Sequence, residues 1–170
     1  MDLRGFIRDV PDFPKAGILF KDITPLLADA DALRASIEQL AQPYRNGAID
    51  LVVGIESRGF IFGTALAREL GVGFVPIRKP GKLPADAISA EYELEYGTDR
   101  IEIHTDAIAR GQRVALVDDL LATGGTMAAA CQLVSELKGE IVGISFVIEL
   151  DFLNGREKLG DWPIHTLIHY

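Results

Sequence analysis

The chain has a single cysteine, Cys131, in 170 residues. No intrachain disulfide framework is therefore available, and a reducing, cytoplasmic setting is expected. No apolar run approaches the roughly 20 residues of a membrane-spanning helix. The first residues, Met1-Asp2-Leu3-Arg4-Gly5, lead into charges and prolines rather than the apolar stretch of a secretory signal. Positive charge is scarce: 17 Lys plus Arg stand against 25 Asp plus Glu, a net charge of −8. That balance argues against general binding to nucleic acid or to a membrane. Internal repeats, low-complexity tracts and linker-like shifts of composition are missing. So is G-x-x-x-x-G-K-[ST], which disfavours a P-loop kinase or GTPase. Three histidines, His104, His165 and His169, lack metal-ligand spacing with the cysteine, so zinc is not expected. Cys131, in an alanine-rich stretch, reads as a small buried residue, and Trp162 and Tyr170 as packing or interface residues.

The hydrophobic content of 48% is ordinary for a globular chain, and the length suits one domain over residues 1–170. Phe6 to Lys21 holds Pro11, Pro14 and Gly17, too many breakers for a long helix or strand, yet it is apolar enough to pack over a core edge or a ligand. Residues 28–44 have helical periodicity, with Asp29 or Asp31 as cap. Short apolar runs at 51–55, 74–77 and 113–117, and a longer one at 141–150, read as strands. They alternate with helices over 60–70 and 126–137. This rhythm predicts an α/β fold with a mostly parallel sheet flanked by helices. Residues 90–104 differ: Tyr92, Leu94, Tyr96, Ile101 and Ile103 alternate around Gly97, which predicts a hairpin off the main sheet, preceded by a flexible loop from about residue 80.

The densest chemical signal follows the run Val114-Ala115-Leu116-Val117. Two carboxylates, Asp118 and Asp119, stand at its carboxyl end, and after Leu120-Leu121 comes Ala122-Thr123-Gly124-Gly125-Thr126, which opens a helix. In open parallel sheets ligands bind beyond the carboxyl ends of strands, and a glycine-rich entry to a helix offers N–H groups to a phosphate. Adjacent acids would repel that phosphate unless they face another part of the ligand, such as sugar hydroxyls or a metal. Phosphate at one end and hydroxyls at the other describe a phosphorylated pentose. A capped helix start with two solvated aspartates is the alternative. Arg78, Lys79 and Lys82 form the most basic patch, with no acid between Gly71 and Ala85. That patch suits a polyphosphate, or is a plain solvated loop. Glu91, Glu93 and Glu95 share one face of the hairpin and could be merely solvated.

Val114 to Thr126 resembles the phosphoribosyl pyrophosphate (PRPP) signature of the type I phosphoribosyltransferases. The rest of the chain resembles the branch of that family that takes adenine: Phe13-Pro14, Gly17, Phe20, Asp22-Ile23, Glu56-Ser57-Arg58-Gly59-Phe60, Arg78-Lys79, Gly81-Lys82-Leu83-Pro84, Leu94-Glu95-Tyr96-Gly97 and Gly155-Arg156-Glu157-Lys158-Leu159 occur in order along it. The resemblance implies the type I fold, with an N-terminal hood arm (about 1–30) over the base and a flexible hairpin flap (about 80–104). It implies transfer of 5-phosphoribose from PRPP to adenine, giving AMP and pyrophosphate, with Mg²⁺ held mainly by the substrate's pyrophosphate and ribose hydroxyls, and a homodimer. By position, Ala122, Thr123, Gly124, Gly125 and Thr126 would hold the 5′-phosphate, and Asp118 and Asp119 the ribose. Glu56, Ser57 and Arg58 (with a cis Glu56–Ser57 peptide), Arg78, Lys79, Lys82 and Tyr96 would serve the pyrophosphate. Glu95 would be the general acid/base. Leu19, Phe20, Lys21 and Leu150 would surround adenine, Phe20 and Leu150 on its two faces. A 6-oxopurine substrate, or a PRPP-sensing regulator without catalysis, are the competing readings.

Overall fold

A computed structural model describes residues 1–94 and 96–170. In chain order the elements are β1 (Arg8–Pro11), β2 (Leu19–Asp22), α1 (Thr24–Ala28), α2 (Ala30–Ala41), β3 (Leu51–Ile55), α3 (Arg58–Leu70), β4 (Gly73–Ile77), β5 (Ala87–Glu93), β6 (Thr98–His104), β7 (Arg113–Leu121), α4 (Gly125–Glu136), β8 (Glu140–Glu149) and β9 (Ile164–His169). Five of the strands form a sheet in the order β4-β3-β7-β8-β9, with every neighbouring pair parallel. The expected α/β class and parallel sheet are thus present.

Successive residues of a strand point to opposite faces, so a strand buried on both sides needs apolar residues throughout. In β3, Val53 joins the core beneath α4 while Val52 joins the core beneath α2 and α3. In β7, Val114 and Leu116 face the first core, Ala115 and Val117 the second. The central strand β7 runs four residues further than its apolar stretch suggests. Asp118, Leu120 and Leu121 keep pairing with Phe146, Ile148 and Glu149 of β8. The two aspartates therefore sit inside the end of a strand rather than in the loop after it. Elsewhere the boundaries move by a few residues; α2 is capped by the Asp29 carboxylate, which accepts from the N–H groups of Asp31 and Ala32.

Two antiparallel ribbons lie outside the main sheet. In the N-terminal arm, β1 pairs with β2 from Arg8↔Asp22 to Pro11↔Leu19. Pro14 and Gly17 fall in the turn between them, where Phe13–Pro14 is cis and Gly17 N–H donates to Asp12 at 2.8 Å, while Pro11 closes β1 at its last position. Short strands on either side were therefore free to pair, a structure the count of breakers conceals. The second ribbon is the expected hairpin, β5 with β6, in register from Ala87↔His104 to Glu93↔Thr98. Its inner face, Ala90, Ile101 and Ile103, is buried in the α4-side core. Paired backbone hydrogen bonds between Arg78 and Glu102 (3.0 and 2.8 Å) join it to the end of β4. Among the described residues, no helix is long and apolar enough to cross a membrane.

Candidate active site at the carboxyl edge of the sheet

The carboxyl ends of β3, β4 and β7 converge on a cavity of ≈ 240 Å³ lined by Glu56, Ser57, Arg58, Arg78, Lys79, Asp118, Asp119 and Thr126, with Tyr92 and Ile101 from the hairpin. A second cavity of ≈ 90 Å³ shares Asp118 and Thr126 with it and is lined by the loop from Ala122 to Gly125. The segments singled out in the sequence as ribose, phosphate and pyrophosphate binders are thereby continuous in space.

Asp118 and Asp119 are placed by the last turn of β7 pairing and point to opposite sides of the strand. Asp118 lies against α3 at Gly59, where a Cβ would sit 2.9 Å from its Oδ1, so only glycine leaves room for that carboxyl. Its Oδ1 accepts the Asp119 N–H at 2.8 Å. Burial, then the neighbouring Asp119 carboxylate, push the Asp118 carboxyl well above the ordinary carboxylate range. Asp119, itself buried, forms an ion pair with Arg58. Burial works against the Arg58 charge, but Asp119 outweighs it and raises the guanidinium's pKa. The pair is thus differentiated: one acid tied to a cation, its neighbour inclined to keep a proton.

The loop after β7 turns into α4 at Gly124, whose φ of +86° is left-handed. A Cβ on Gly124 would lie 2.3 Å from Gly155 O, and one on Gly155 would lie 2.4 Å from Ala122 O. Two backbones touch there, and neither position admits a side chain. The first N–H groups of α4 have no acceptor within the helix and open toward the smaller cavity, the arrangement an anion needs.

On the β3 side, the peptide between Glu56 and Ser57 is cis, as the resemblance implies. Glu56 does not present a bare carboxylate to the cavity. It accepts from Arg78 Nε at 3.1 Å and the Lys79 N–H at 3.2 Å, and it pairs with Lys82. Burial alone would raise its pKa, but the Lys82, Lys79 and Arg78 donors together lower it. Glu56 therefore gathers the cationic loop around itself. Lys79 turns the other way, donating to Tyr92 Oη at 2.7 Å and pairing with Asp99 on β6.

The residues expected around the base are less assembled. Leu19 is half exposed, and Phe20 packs edge-on to Phe13 with ring centroids 5.1 Å apart. The Arg58 guanidinium stands 5.7 Å from the Phe20 ring, which brings the arm to the edge of the main cavity. Lys21 is buried; its ammonium donates to Asp9 at 2.6 Å and lies 3.6 Å from the Tyr170 ring centroid. Leu150 is partly buried, and its N–H bonds Leu121 O at 3.0 Å. Tyr96 is 83% exposed near the hairpin tip. Glu95, the candidate acid/base, lies outside the described residues.

Sequence reasoning passed over one cluster. Glu149, 4% exposed at the end of β8, accepts two bonds from Arg156 (Nε 2.6 Å, Nη2 2.7 Å) and one from Thr166 Oγ1 at 2.8 Å. The signal available was an acid closing an otherwise apolar strand, seven residues before an arginine inside a quoted motif. His169 and Asp151 stand beside Glu149, but with Arg156 and Thr166 on its oxygens that trio is no metal centre. The Cys131 thiol is buried and pushed up to about 12 by that burial, which suits a packing residue.

The phosphoribosyl transferase domain family matches residues 21–163. The chain is 62% identical to an adenine phosphoribosyltransferase of Acaryochloris marina over 170 residues, covering 100% of both. It superposes on the crystal structure of adenine phosphoribosyltransferase from Thermoanaerobacter pseudethanolicus with a TM-score of 0.96 at 57% identity, covering 99% of this chain and 98% of that one. The Saccharomyces cerevisiae adenine phosphoribosyltransferase, solved with adenine and an imino-altritol bisphosphate, gives 0.93 at 46% identity, covering 97% and 96%.

Proposed function

The chain belongs to the phosphoribosyltransferase family, among the adenine phosphoribosyltransferases, and from that premise we propose that it transfers the 5-phosphoribosyl group of PRPP to adenine, releasing AMP and pyrophosphate. The observation that carries this reading is the continuity of the two cavities. An anion cradle at the start of α4, two acids at the end of β7 and a cationic rim at 56–58 and 78–82 lie in the order of PRPP's 5′-phosphate, ribose and pyrophosphate. The whole of 1–170 serves as one catalytic domain, with the arm and hairpin as its base-side cover.

In this mechanism the N–H groups and hydroxyls of Ala122 to Thr126 bind the 5′-phosphate. Asp118 and Asp119 face the ribose hydroxyls and accept hydrogen bonds from them. The bond from C1′ to the pyrophosphate oxygen breaks as the bond from adenine N9 to C1′ forms. Positive charge gathers on the ribose ring in between, and the carboxyl oxygens at the end of β7 stabilise it. Arg58, Arg78, Lys79 and Lys82 receive the leaving pyrophosphate, with Ser57 and Tyr96 donating hydroxyls; for this Arg78 and Lys82 leave Glu56, and Lys79 leaves Asp99. Glu95 takes the proton that adenine loses. Phe20 and Leu150 sandwich the base, while backbone groups of Leu19 and Lys21 read its edge. A carbonyl facing the 6-amino group excludes a 6-oxopurine.

Mg²⁺ fits this site. Asp118, Ser57 and Thr126 line the cavity and would offer it oxygen donors, as a hard cation prefers. Glu56 and Asp119 are already engaged by cations, so among the described residues the protein offers no full cage, and the substrate's pyrophosphate and ribose hydroxyls would supply most ligands. The ion would neutralise charge on the leaving group. A homodimer in a cytoplasmic compartment completes the reading; the molar mass in solution by light scattering tests the dimer.

The direct test incubates the protein with PRPP and Mg²⁺ plus adenine, hypoxanthine or guanine in turn, and measures the nucleoside monophosphate formed. AMP with little IMP or GMP is expected. Turnover of a 6-oxopurine would overturn the reading of the arm, and PRPP binding without turnover of any base would turn the chain into a regulator.

A further inference from the structure

The Glu149–Arg156 pair, with its carboxylate buried and its guanidinium half exposed, sits outside the reacting groups, yet it closes a ring of contacts around the 5′-phosphate loop. Glu149 is the β-sheet partner of Leu121, the residue from which the loop departs. Its carboxylate takes two bonds from Arg156 and one from Thr166 on β9, so the guanidinium is held in a fixed plane. Arg156 follows Gly155, and Gly155 is the residue whose backbone backs Ala122 and Gly124 without space for a Cβ. Three residues further on, Leu159 is fully buried in the α4-side core. The segment is thus anchored directly after its contact with the loop, by the ion pair at Arg156 and by packing at Leu159.

We propose that Arg156, clamped by Glu149 and Thr166, is a positioning residue for the 5′-phosphate loop. It holds Gly155 against Ala122 and Gly124, and so fixes the direction in which the N–H groups at the start of α4 point. This rests on the reading above that the loop binds the 5′-phosphate of PRPP. A purely structural ion pair would act on stability and on all substrates alike. A positioning pair acts on the phosphate-bearing substrate first, because a small displacement of a binding loop is felt by the group it holds.

The test compares Arg156→Ala, Arg156→Lys and Gly155→Ala with the unaltered protein in steady-state kinetics, and in calorimetric titration with ribose 5-phosphate. For Arg156→Ala the KM for PRPP and the ribose 5-phosphate Kd are expected to rise about tenfold, with the adenine KM and kcat within about twofold. Arg156→Lys, which keeps the charge but not the planar fork, should fall between. Gly155→Ala, which leaves the ion pair intact and pushes on the loop directly, should reproduce the PRPP-specific loss; it carries the test if Arg156→Ala fails to fold. Unchanged PRPP and ribose 5-phosphate affinities, or equal losses for PRPP and adenine, would overturn the proposal. An unaltered protein that binds ribose 5-phosphate but makes no AMP would defeat the proposed activity instead, while the titrations would still report on the clamp.

Discussion

The two halves of the site are built from different materials. The phosphate and ribose side lies on β7, the central strand of the sheet, hydrogen-bonded on both edges and continuous with α4. Its recognition groups are backbone N–H groups and two acids fixed by strand pairing. The base side lies largely on the N-terminal ribbon, where Leu19 remains half exposed and Phe20 rests on Phe13, and on the β5–β6 ribbon, between whose strands the sequence places the acid/base candidate. A site founded on core backbone is already shaped before the ligand arrives. One founded on ribbons leaves its side chains to be gathered by the ligand. Binding energy for PRPP should therefore be separable from the chemistry done on the base.

The largest effect expected of any change that breaks this contrast is in Glu95→Gln: kcat should fall by about 10²–10⁴, while PRPP affinity stays near that of the unaltered protein. Equal loss of both would place Glu95 in the binding half. Next comes Gly124→Ala, which puts a methyl 2.3 Å from Gly155 O at a left-handed φ; PRPP affinity by titration should weaken on the order of 100-fold.

Asp118→Asn sharpens the comparison by setting stability against function. A carboxyl whose pKa is raised on folding contributes most stability below its ordinary 3.8, and that stability is lost as pH rises through the raised value. Asparagine keeps the shape and the acceptor for the Asp119 N–H without that loss. The variant should melt roughly 2–4 °C higher at neutral pH, the advantage fading as pH falls toward 3.8, while turnover declines. Thermal melts across pH with parallel activity assays check both. Glu56 titrates in the opposite sense. Its depressed pKa contributes stability above its ordinary 4.5, lost as pH falls through and below that value, so Glu56→Gln should flatten the acid limb of the melting profile. The smallest effect belongs to the ribbons: Asp99→Asn breaks a partly exposed pair with Lys79 and should cost at most about 1 kcal/mol in denaturant unfolding.

The same contrast governs what could be read from the sequence. Apolar runs and a glycine-rich turn are properties of neighbouring residues, so the parallel sheet, the acids of β7 and the loop from Ala122 to Thr126 were legible. The β1–β2 pairing was hidden because Pro14 and Gly17, which argued against it, fall in its turn, and Pro11 only ends its first strand. Glu56 looked like a cavity ligand because nothing local says that its carboxylate meets Arg78 and Lys82, some twenty residues away. Lys79 looked free for pyrophosphate for the same reason, since Asp99 reaches it only once β6 folds back. The Glu149–Arg156 clamp depends on β8, β9 and the intervening turns meeting. Long-range polar pairs leave no periodic trace.

The measurement that tests the division of the site most directly is calorimetric titration of PRPP with Mg²⁺ into Glu95→Gln and Gly124→Ala side by side. Glu95→Gln should bind within about twofold of the unaltered protein and Gly124→Ala on the order of 100-fold more weakly. Equal weakening in both, or weakening confined to Glu95→Gln, would contradict a PRPP site founded on the sheet edge alone.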